Sequence, residues 1–239
     1  MPSLYESVAA RLREEIARGV YAKGDRLPAE NELAEVMGVS RPTVRQALDL
    51  LAREGRVSRI KGSGTYVTEP KLVHESTSFI TSYREESREK NLTVRTRVIA
   101  QEVERASDAV ARALSIHPGE KVTRLSRIRH LENVYHDLPV LRTTVYVPLK
   151  LFPDMPELDF TDASLYAFFA ERRLTVVRAS KHLEVVIPSE EIAAELKISV
   201  FEPTVFIAST GYREDGAAVE YSESWYPASR SGFRIELNT

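Results

Sequence analysis

Val39-Ser40-Arg41-Pro42-Thr43-Val44-Arg45-Gln46-Ala47-Leu48 joins a helix start signal to a polar, cationic first turn. Ser40 is a good N-cap, its hydroxyl able to accept an orphan amide hydrogen, and Pro42 follows where its missing N–H costs nothing. Val44, Ala47, Leu48 and Leu51 fall at i, i+3, i+4 and i+7, an apolar stripe at helical period, while Arg41, Arg45 and Gln46 lie away from its centre. One face of this helix packs inward and the other presents cations.

The flanking sequence gives that helix its context. Residues 4–18 carry Leu4, Val8, Leu12 and Ile16 in an i+4 series that needs a partner surface, which predicts a first helix. Gly24-Asp25-Arg26-Leu27-Pro28 is turn chemistry, and residues 30–37 resume a helical pattern through Leu33, Ala34 and Met37 until Gly38 ends it. The short gap to the third helix matches a helix-turn-helix, whose second helix inserts its N-terminal residues into the major groove. Residues 56–60 then alternate polar and apolar side chains, Lys61-Gly62-Ser63-Gly64 turns, and residues 65–67 alternate again, as a basic hairpin or wing does.

Leu27-Pro28-Ala29-Glu30-Asn31-Glu32-Leu33-Ala34, the stretch from Val39 to Leu48 and Gly62-Ser63-Gly64-Thr65-Tyr66-Val67 together resemble the winged helix of the GntR family over residues 4–68. The resemblance implies that Arg41, Thr43 and Arg45 contact DNA, with Lys61, Gly62, Ser63 and Gly64 forming a wing tip that reaches the adjacent minor groove. The chemistry agrees. Arginine binds guanine O6 and N7 bidentately, threonine touches phosphate or a thymine methyl, and a glycine turn lets backbone approach closely. The plain alternatives are a solvated basic helix face or a winged helix used for protein contacts.

Charge supports this locally. The chain of 239 residues has 33 Lys+Arg against 35 Asp+Glu and a formal net charge of −2, so it is no general polyanion binder. From residue 41 to 61, however, six bases (Arg41, Arg45, Arg53, Arg56, Arg59, Lys61) face two acids (Asp49, Glu54), a surface whose affinity for phosphates should fall steeply with salt. With 43% hydrophobic and 28% charged residues, both of two domains can have cores. The absence of cysteine excludes disulfides, thiolate metal sites and thiol nucleophiles. No apolar run reaches membrane-spanning length and the N-terminus begins a charged helix, so a cytoplasmic protein without membrane contact is expected.

The expected organisation is α+β: a winged helix-turn-helix in residues 1–68, a linker at 69–77, and a sheet domain in 78–239. Residues 79–90 are expected to be a short, mostly solvated amphipathic segment. Strands are expected at 93–104, 121–131 and 134–147, 174–187, 204–213 and 217–226, with a last short one at 232–237. Ser107, Ser164 and Ser189 cap helices inserted between them. Hairpins with inserted helices argue for a mostly antiparallel sheet.

That order, with the strings Val122 to Arg129, Leu138-Pro139-Val140, Tyr146-Val147-Pro148, Ala163-Ser164-Leu165-Tyr166 and Val219 to Tyr226 running into Arg230, resembles the UTRA domain of the HutC subfamily of GntR regulators, whose fold is similar to chorismate lyase. Arg127 and Arg129 sit two apart on a strand, so both project from one face and can converge on one anion. A helix starting near Ser164 adds amide hydrogens and a positive dipole end. The resemblance implies that Arg127, Arg129, Ser164 and Tyr166 surround a phosphate, that Glu220 and Tyr226 meet a sugar end, and that Arg230 belongs to the effector site. Read without it, the arginines more readily form ion pairs with Glu102, Glu104 or Glu223.

Two positions depart from the family pattern: Thr143 stands where a glutamate is usual, and Ser229 where an aspartate is common. Both weaken the expectation of an amino-sugar phosphate and suit a smaller or more acidic effector, with a phosphorylated sugar or sugar-like metabolite the first expectation. The implied function is a homodimeric repressor, joined through its C-terminal sheet, that leaves a palindromic operator when its effector binds. The other readings are a chorismate-lyase-like enzyme and an effector-independent DNA binder. His74, His117, His130, His136 and His182 are scattered without triad order or metal-ligand spacing, and no nucleotide-binding glycine loop occurs, so no catalytic residue, metal or cofactor is expected.

Overall fold

A computed structural model describes residues 3–60, 62–68, 71–75, 83, 87, 92–132 and 138–235. The chain divides into two compact units, Met1–Lys71 and Leu72–Thr239. No helix among the described residues is long and apolar enough to cross a membrane.

The first unit comprises α1 (Leu4–Ala17), α2 (Glu30–Met37), α3 (Arg41–Arg53) and the antiparallel pair β1 (Val57–Ile60) and β2 (Gly64–Val67). The stripe on α3 does what its period requires: Val44, Ala47, Leu48 and Leu51 are buried with Val8, Leu12, Leu27, Leu33, Val57 and Val67 in one core. Ser40 stays extended, and its Oγ accepts from the Thr43 amide at 3.4 Å, fixing where α3 begins. Gly38, left-handed at φ 64°, ends α2 and allows the three-residue turn between the helices. The i+4 series on α1 is only partly inward. An i+4 row drifts around a helix, so Leu4 is exposed and Tyr5 packs on the core in its place.

The second unit is built on a six-stranded antiparallel sheet in the order β4-β5-β6-β9-β8-β7, from β4 (Val94–Arg105), β5 (Lys121–Leu131), β6 (Pro139–Pro148), β7 (Arg178–Val186), β8 (Thr204–Tyr212) and β9 (Ala218–Pro227). Between them lie α4 (Asp108–Leu114), the 3-10 helix Met155–Glu157, α5 (Leu165–Glu171) and α6 (Glu190–Leu196). The hydroxyls of Ser107, Ser164 and Ser189 accept the amides of Val110, Ala167 and Ile192, so all three expected caps form. α5 and the 3-10 helix bury Phe168, Phe169 and Met155 against Leu125, Val145 and Val147. α4 packs Val110, Ala111 and Leu114 on Val122, with Tyr146 and Tyr221 beside them.

The stretch expected as a linker contains β3 (Leu72–Glu75), which pairs in parallel with β10 (Ser231–Arg234). Its partner lies at the far end of the chain and the motif is four residues long, so no local periodicity announces it. What holds it is aromatic: the His74 ring stacks on Phe233 at 4.8 Å and meets Tyr226 edge-on at 4.8 Å. The expected arm at 134–147 begins its described strand at Pro139, and residues 133–137, with His136, lie outside the described residues. Residues 76–82 and most of the segment expected at 79–90 lie outside them too.

Arg230, expected at an effector site, has another place. Its guanidinium is buried and donates to the backbone carbonyls of Pro139, Leu196 and Lys197, joining β6 to the end of α6. Three carbonyls need one multivalent donor, and arginine supplies it. Arg230→Met is expected to cost about 3 kcal/mol by stranding them. Urea unfolding of the two proteins measures that difference.

Candidate DNA interface and effector cavity

Arg41 and Arg45 project from the first turns of α3, one helical turn apart and both exposed, as their position off the apolar stripe demands. Both converge on one carboxylate: Arg41 Nε and Arg45 NH2 lie 3.0 and 2.9 Å from Glu30 Oε2. Arg59 of β1 reaches the other oxygen of Glu30 at 2.6 Å and also pairs with Asp49. The Glu30 side chain is only 14% exposed beneath them. Its carboxyl is pulled down to about 2 by the Arg45 hydrogen bond first, then by Arg41 and the charges of Arg45 and Arg59, against the opposing pull of burial. Sequence reading missed Glu30. It opens α2, eleven and fifteen residues from the arginines, and only the turn between the helices brings them together.

Thr43 faces its own cap, its Oγ1 2.8 Å from Ser40 Oγ. At the wing tip Gly62 (φ 80°) and Gly64 (φ 135°) take conformations closed to most side chains, and a Cβ on Gly64 would sit 2.6 Å from Arg26 Nε. Ser63 Oγ meets Tyr66 OH at 2.7 Å. Lys61 lies outside the described residues.

The second unit holds a cavity of about 110 Å³ on one face of its sheet. Register explains its lining. Arg127, Thr143, Ser224 and Ile207 follow one another across β5, β6, β9 and β8, and the next same-face row is Val145, Ser222, Ser209 and Lys181 across β6, β9, β8 and β7. All eight line the cavity. Where a sheet face normally carries aliphatic side chains, these rows place two cations and four hydroxyls. Arg129, Glu220 and Tyr226 extend the same face, and Ala163, Ser164, Leu165 and Tyr166 close one side from the start of α5.

Of the seven residues expected at an effector site, Arg127, Arg129, Ser164, Tyr166, Glu220 and Tyr226 therefore share one cavity, and Arg230 is outside it. The ion pairs to Glu102 and Glu104 that competed for Arg127 and Arg129 are made by Arg124, on the opposite face of β5. Arg127 is 4% exposed, and the Arg129 guanidinium lies over the Tyr83 ring, 5.3 Å from its centre. Glu220 is 2% exposed and accepts from Tyr166 OH at 2.9 Å. Burial pushes its carboxyl up, while Tyr166, Lys181, Ser222 and Arg127 hold it back. Gly211 makes room for it, since a Cβ there would meet Glu220 Oε1 at 3.0 Å.

Thr143, which stands where the family resemblance leads to a glutamate, has its Oγ1 2.8 Å from Ser224 Oγ. Lys181 was not foreseen, although its signal is in the sequence: Ala179, Lys181 and Leu183 form the inward row of an alternating strand, and a lysine in such a row is out of place unless something polar faces it. His74 also lines the cavity.

Residues 4–67 match the model of bacterial regulatory proteins of the gntR family, and residues 89–231 match the UTRA domain. The mannosyl-D-glycerate transport/metabolism system repressor MngR of Escherichia coli is 34% identical over 222 residues, covering 92% of this chain and 90% of that protein. The transcriptional repressor NagR of Bacillus subtilis is 29% identical, over 96% of this chain and 93% of its own. The crystal structure of PhnF from Mycobacterium smegmatis superposes with a TM-score of 0.77 at 29% identity, covering 97% of this chain and 99% of that one.

A winged helix-turn-helix followed by such a sheet domain defines a transcriptional regulator that answers to a small molecule, not an enzyme. The chain belongs to the GntR family, in the HutC subfamily that carries a UTRA domain.

The Glu30 cluster has a pH signature. Its carboxyl titrates near 4.5 in the unfolded chain and near 2 in the folded one, so its contribution to stability is complete above about pH 5 and is lost as pH falls through 2. The stability difference between the parent and Glu30→Gln is therefore expected to shrink from pH 5 to pH 2, which urea titrations across that range will show. On DNA, Glu30→Gln removes one negative charge from the face and the anchor that fixes three arginines. Binding to random duplex should tighten, its log–log salt slope should steepen by about one, and the ratio of operator to random affinity should fall. Fluorescence anisotropy on both duplexes measures all three.

Proposed function

We propose that this protein is a repressor that binds a two-half-site operator as a homodimer and is released by a small anionic, hydroxyl-bearing metabolite, a sugar phosphate or a sugar acid, held in the sheet cavity. In this reading residues 1–68 grip DNA through Arg41, Thr43, Arg45 and the wing at 61–64, residues 78–239 sense and pair, and the segment between transmits; all of it acts in the cytoplasm. The observation that carries the reading is a cavity on which Arg127, Arg129 and Lys181 open together with Glu220. Three cations favour an anion, and a carboxylate beside a tyrosine hydroxyl suits the hydroxyls of a polyol. The departure at Thr143 removes a second carboxylate and leaves the site more cationic. Relatives named for mannosyl-D-glycerate and fructoselysine utilisation support sugar-derived effectors, the first of them a carboxylate.

Release needs a link between cavity and DNA face, and β3 supplies a candidate. His74 lines the cavity, and its strand starts at Leu72, the residue after the last one of the DNA-binding unit. An effector that shifts His74 against Tyr226 and Phe233 pulls on the chain leading into the winged helix. Coupling of about 1–3 kcal/mol, 5- to 150-fold in operator affinity, is typical of such linkage.

The test is a thermal-shift screen of sugar phosphates, sugar acids and inorganic phosphate, followed by operator binding with each hit. A hit should raise the melting temperature of the parent and weaken its operator binding, and Arg127→Ala and Lys181→Ala should lose the stabilisation. Operator binding indifferent to every compound that stabilises the protein would overturn the release mechanism, and full stabilisation of both variants would move the site.

A further inference from the structure

The three cations of the cavity do not stand together. Arg127 and Arg129 lie on β5 and Lys181 on β7, and the order β5-β6-β9-β8-β7 puts four strand spacings between them, about 19 Å of backbone in a flat sheet. Glu220 lies on β9, two spacings from each side. The charges of Arg127 and Lys181 therefore reach its carboxyl from opposite directions, and both oppose the upward pull of burial on it. Between the two ends the cavity is floored with hydroxyls, those of Thr143 on β6, Ser224 and Ser222 on β9, and Ser209 on β8.

A site built for one anion draws its cations to one point, because attraction weakens with distance. This cavity has a cationic pole on each side, with a carboxylate and hydroxyls in the middle. Lys181 faces inward through the alternation of β7: Arg178, Ser180, His182 and Glu184 are exposed, whereas Ala179, Lys181 and Leu183 are half-buried. Drawing an ammonium partly out of water costs free energy that Glu220 alone does not recover, since that one carboxylate is shared with Arg127. Three positive side chains against one negative leave the cavity at +2. A glutamate at position 143 would bring that to +1, and threonine stands there instead.

We propose that Lys181 forms a second anion subsite, so that the effector carries an anionic group at each end of a polyol chain: a phosphate at Arg127 and Arg129, a carboxylate at Lys181, and hydroxyls on Glu220 and the serines between. The inference rests on the reading of the cavity as an anion sensor and narrows it to one class, phosphorylated sugar acids. The side chains fit that division. A guanidinium fork matches phosphate bidentately, and an ammonium is a compact point charge that takes a carboxylate oxygen.

Calorimetric titration of the full-length protein with matched pairs tests the subsite: sorbitol 6-phosphate against 6-phosphogluconate, and mannitol 6-phosphate against 6-phosphomannonate. The members of each pair differ only in a terminal carboxylate. The parent should bind at least one acid about tenfold or more tightly than its polyol phosphate. In Lys181→Gln that ratio should fall toward one, the acid losing about tenfold more affinity than the polyol phosphate, and Lys181→Arg, which keeps the charge, should restore most of it. A lysine that only balances Glu220 would weaken both members of a pair equally. An unchanged ratio in Lys181→Gln, or a parent that binds the members of each pair alike, therefore overturns the second subsite. In either case polyol phosphates that bind the parent and fail to bind Arg127→Ala leave the anion-sensing reading standing. A parent that binds neither member of either pair overturns both.

Discussion

A sheet face that buries Arg127 and Glu220 among hydroxyls, with half-buried Lys181 beside them, cannot be packed as a dry core. Desolvating an arginine or a carboxylate costs several kcal/mol unless partners compensate, and aliphatic packing over this face would compensate nothing. The fold resolves the conflict by division. One end of the face is sealed with Phe168, Phe169 and Met155, and the other is left open as a cavity. Tyr166 stands at the boundary, one edge of its ring against Phe169 and its hydroxyl on Glu220. The cavity is a consequence of which residues fill two rows of the sheet, with Ala163 and Ser164 closing one side at the start of α5.

The two candidate surfaces share a construction. In each, several cations are arranged around one carboxylate: Arg41, Arg45 and Arg59 around Glu30, and Arg127 and Lys181 near Glu220. The carboxylates shift in opposite directions because different effects dominate. Three guanidiniums in contact drive Glu30 down to about 2, whereas burial drives Glu220 up against the lowering hydrogen bond from Tyr166. The first therefore stays charged around neutral pH and acts as a fixed anchor for the three guanidiniums. The second is held above its ordinary value by burial and accepts from the Tyr166 hydroxyl.

Much of this was legible in the residues. Helix starts were, because Ser40, Ser107, Ser164 and Ser189 carry the capping chemistry within one turn of the helix they begin. The convergence of Arg127 and Arg129 was, because period-two geometry decides which strand residues share a face. What was hidden depended on partners distant in the chain. β3 is a strand only because residues 231–234 lie beside it, Arg230 is structural only because three carbonyls meet there, and Glu30 reaches its arginines only through the turn at Gly38. Lys181 lies between: its place in an apolar row was visible, and its meaning required knowing what the row faced.

The central claim is that occupancy of the cavity and grip on the operator are linked. Thermodynamic linkage makes that claim reciprocal, so calorimetric titration of the most stabilising sugar phosphate or sugar acid into free protein and into the protein–operator complex tests it most directly. The account predicts that operator weakens effector binding by the same factor, about 5- to 150-fold, by which the effector weakens operator binding. Equal effector affinity in the two titrations would contradict it.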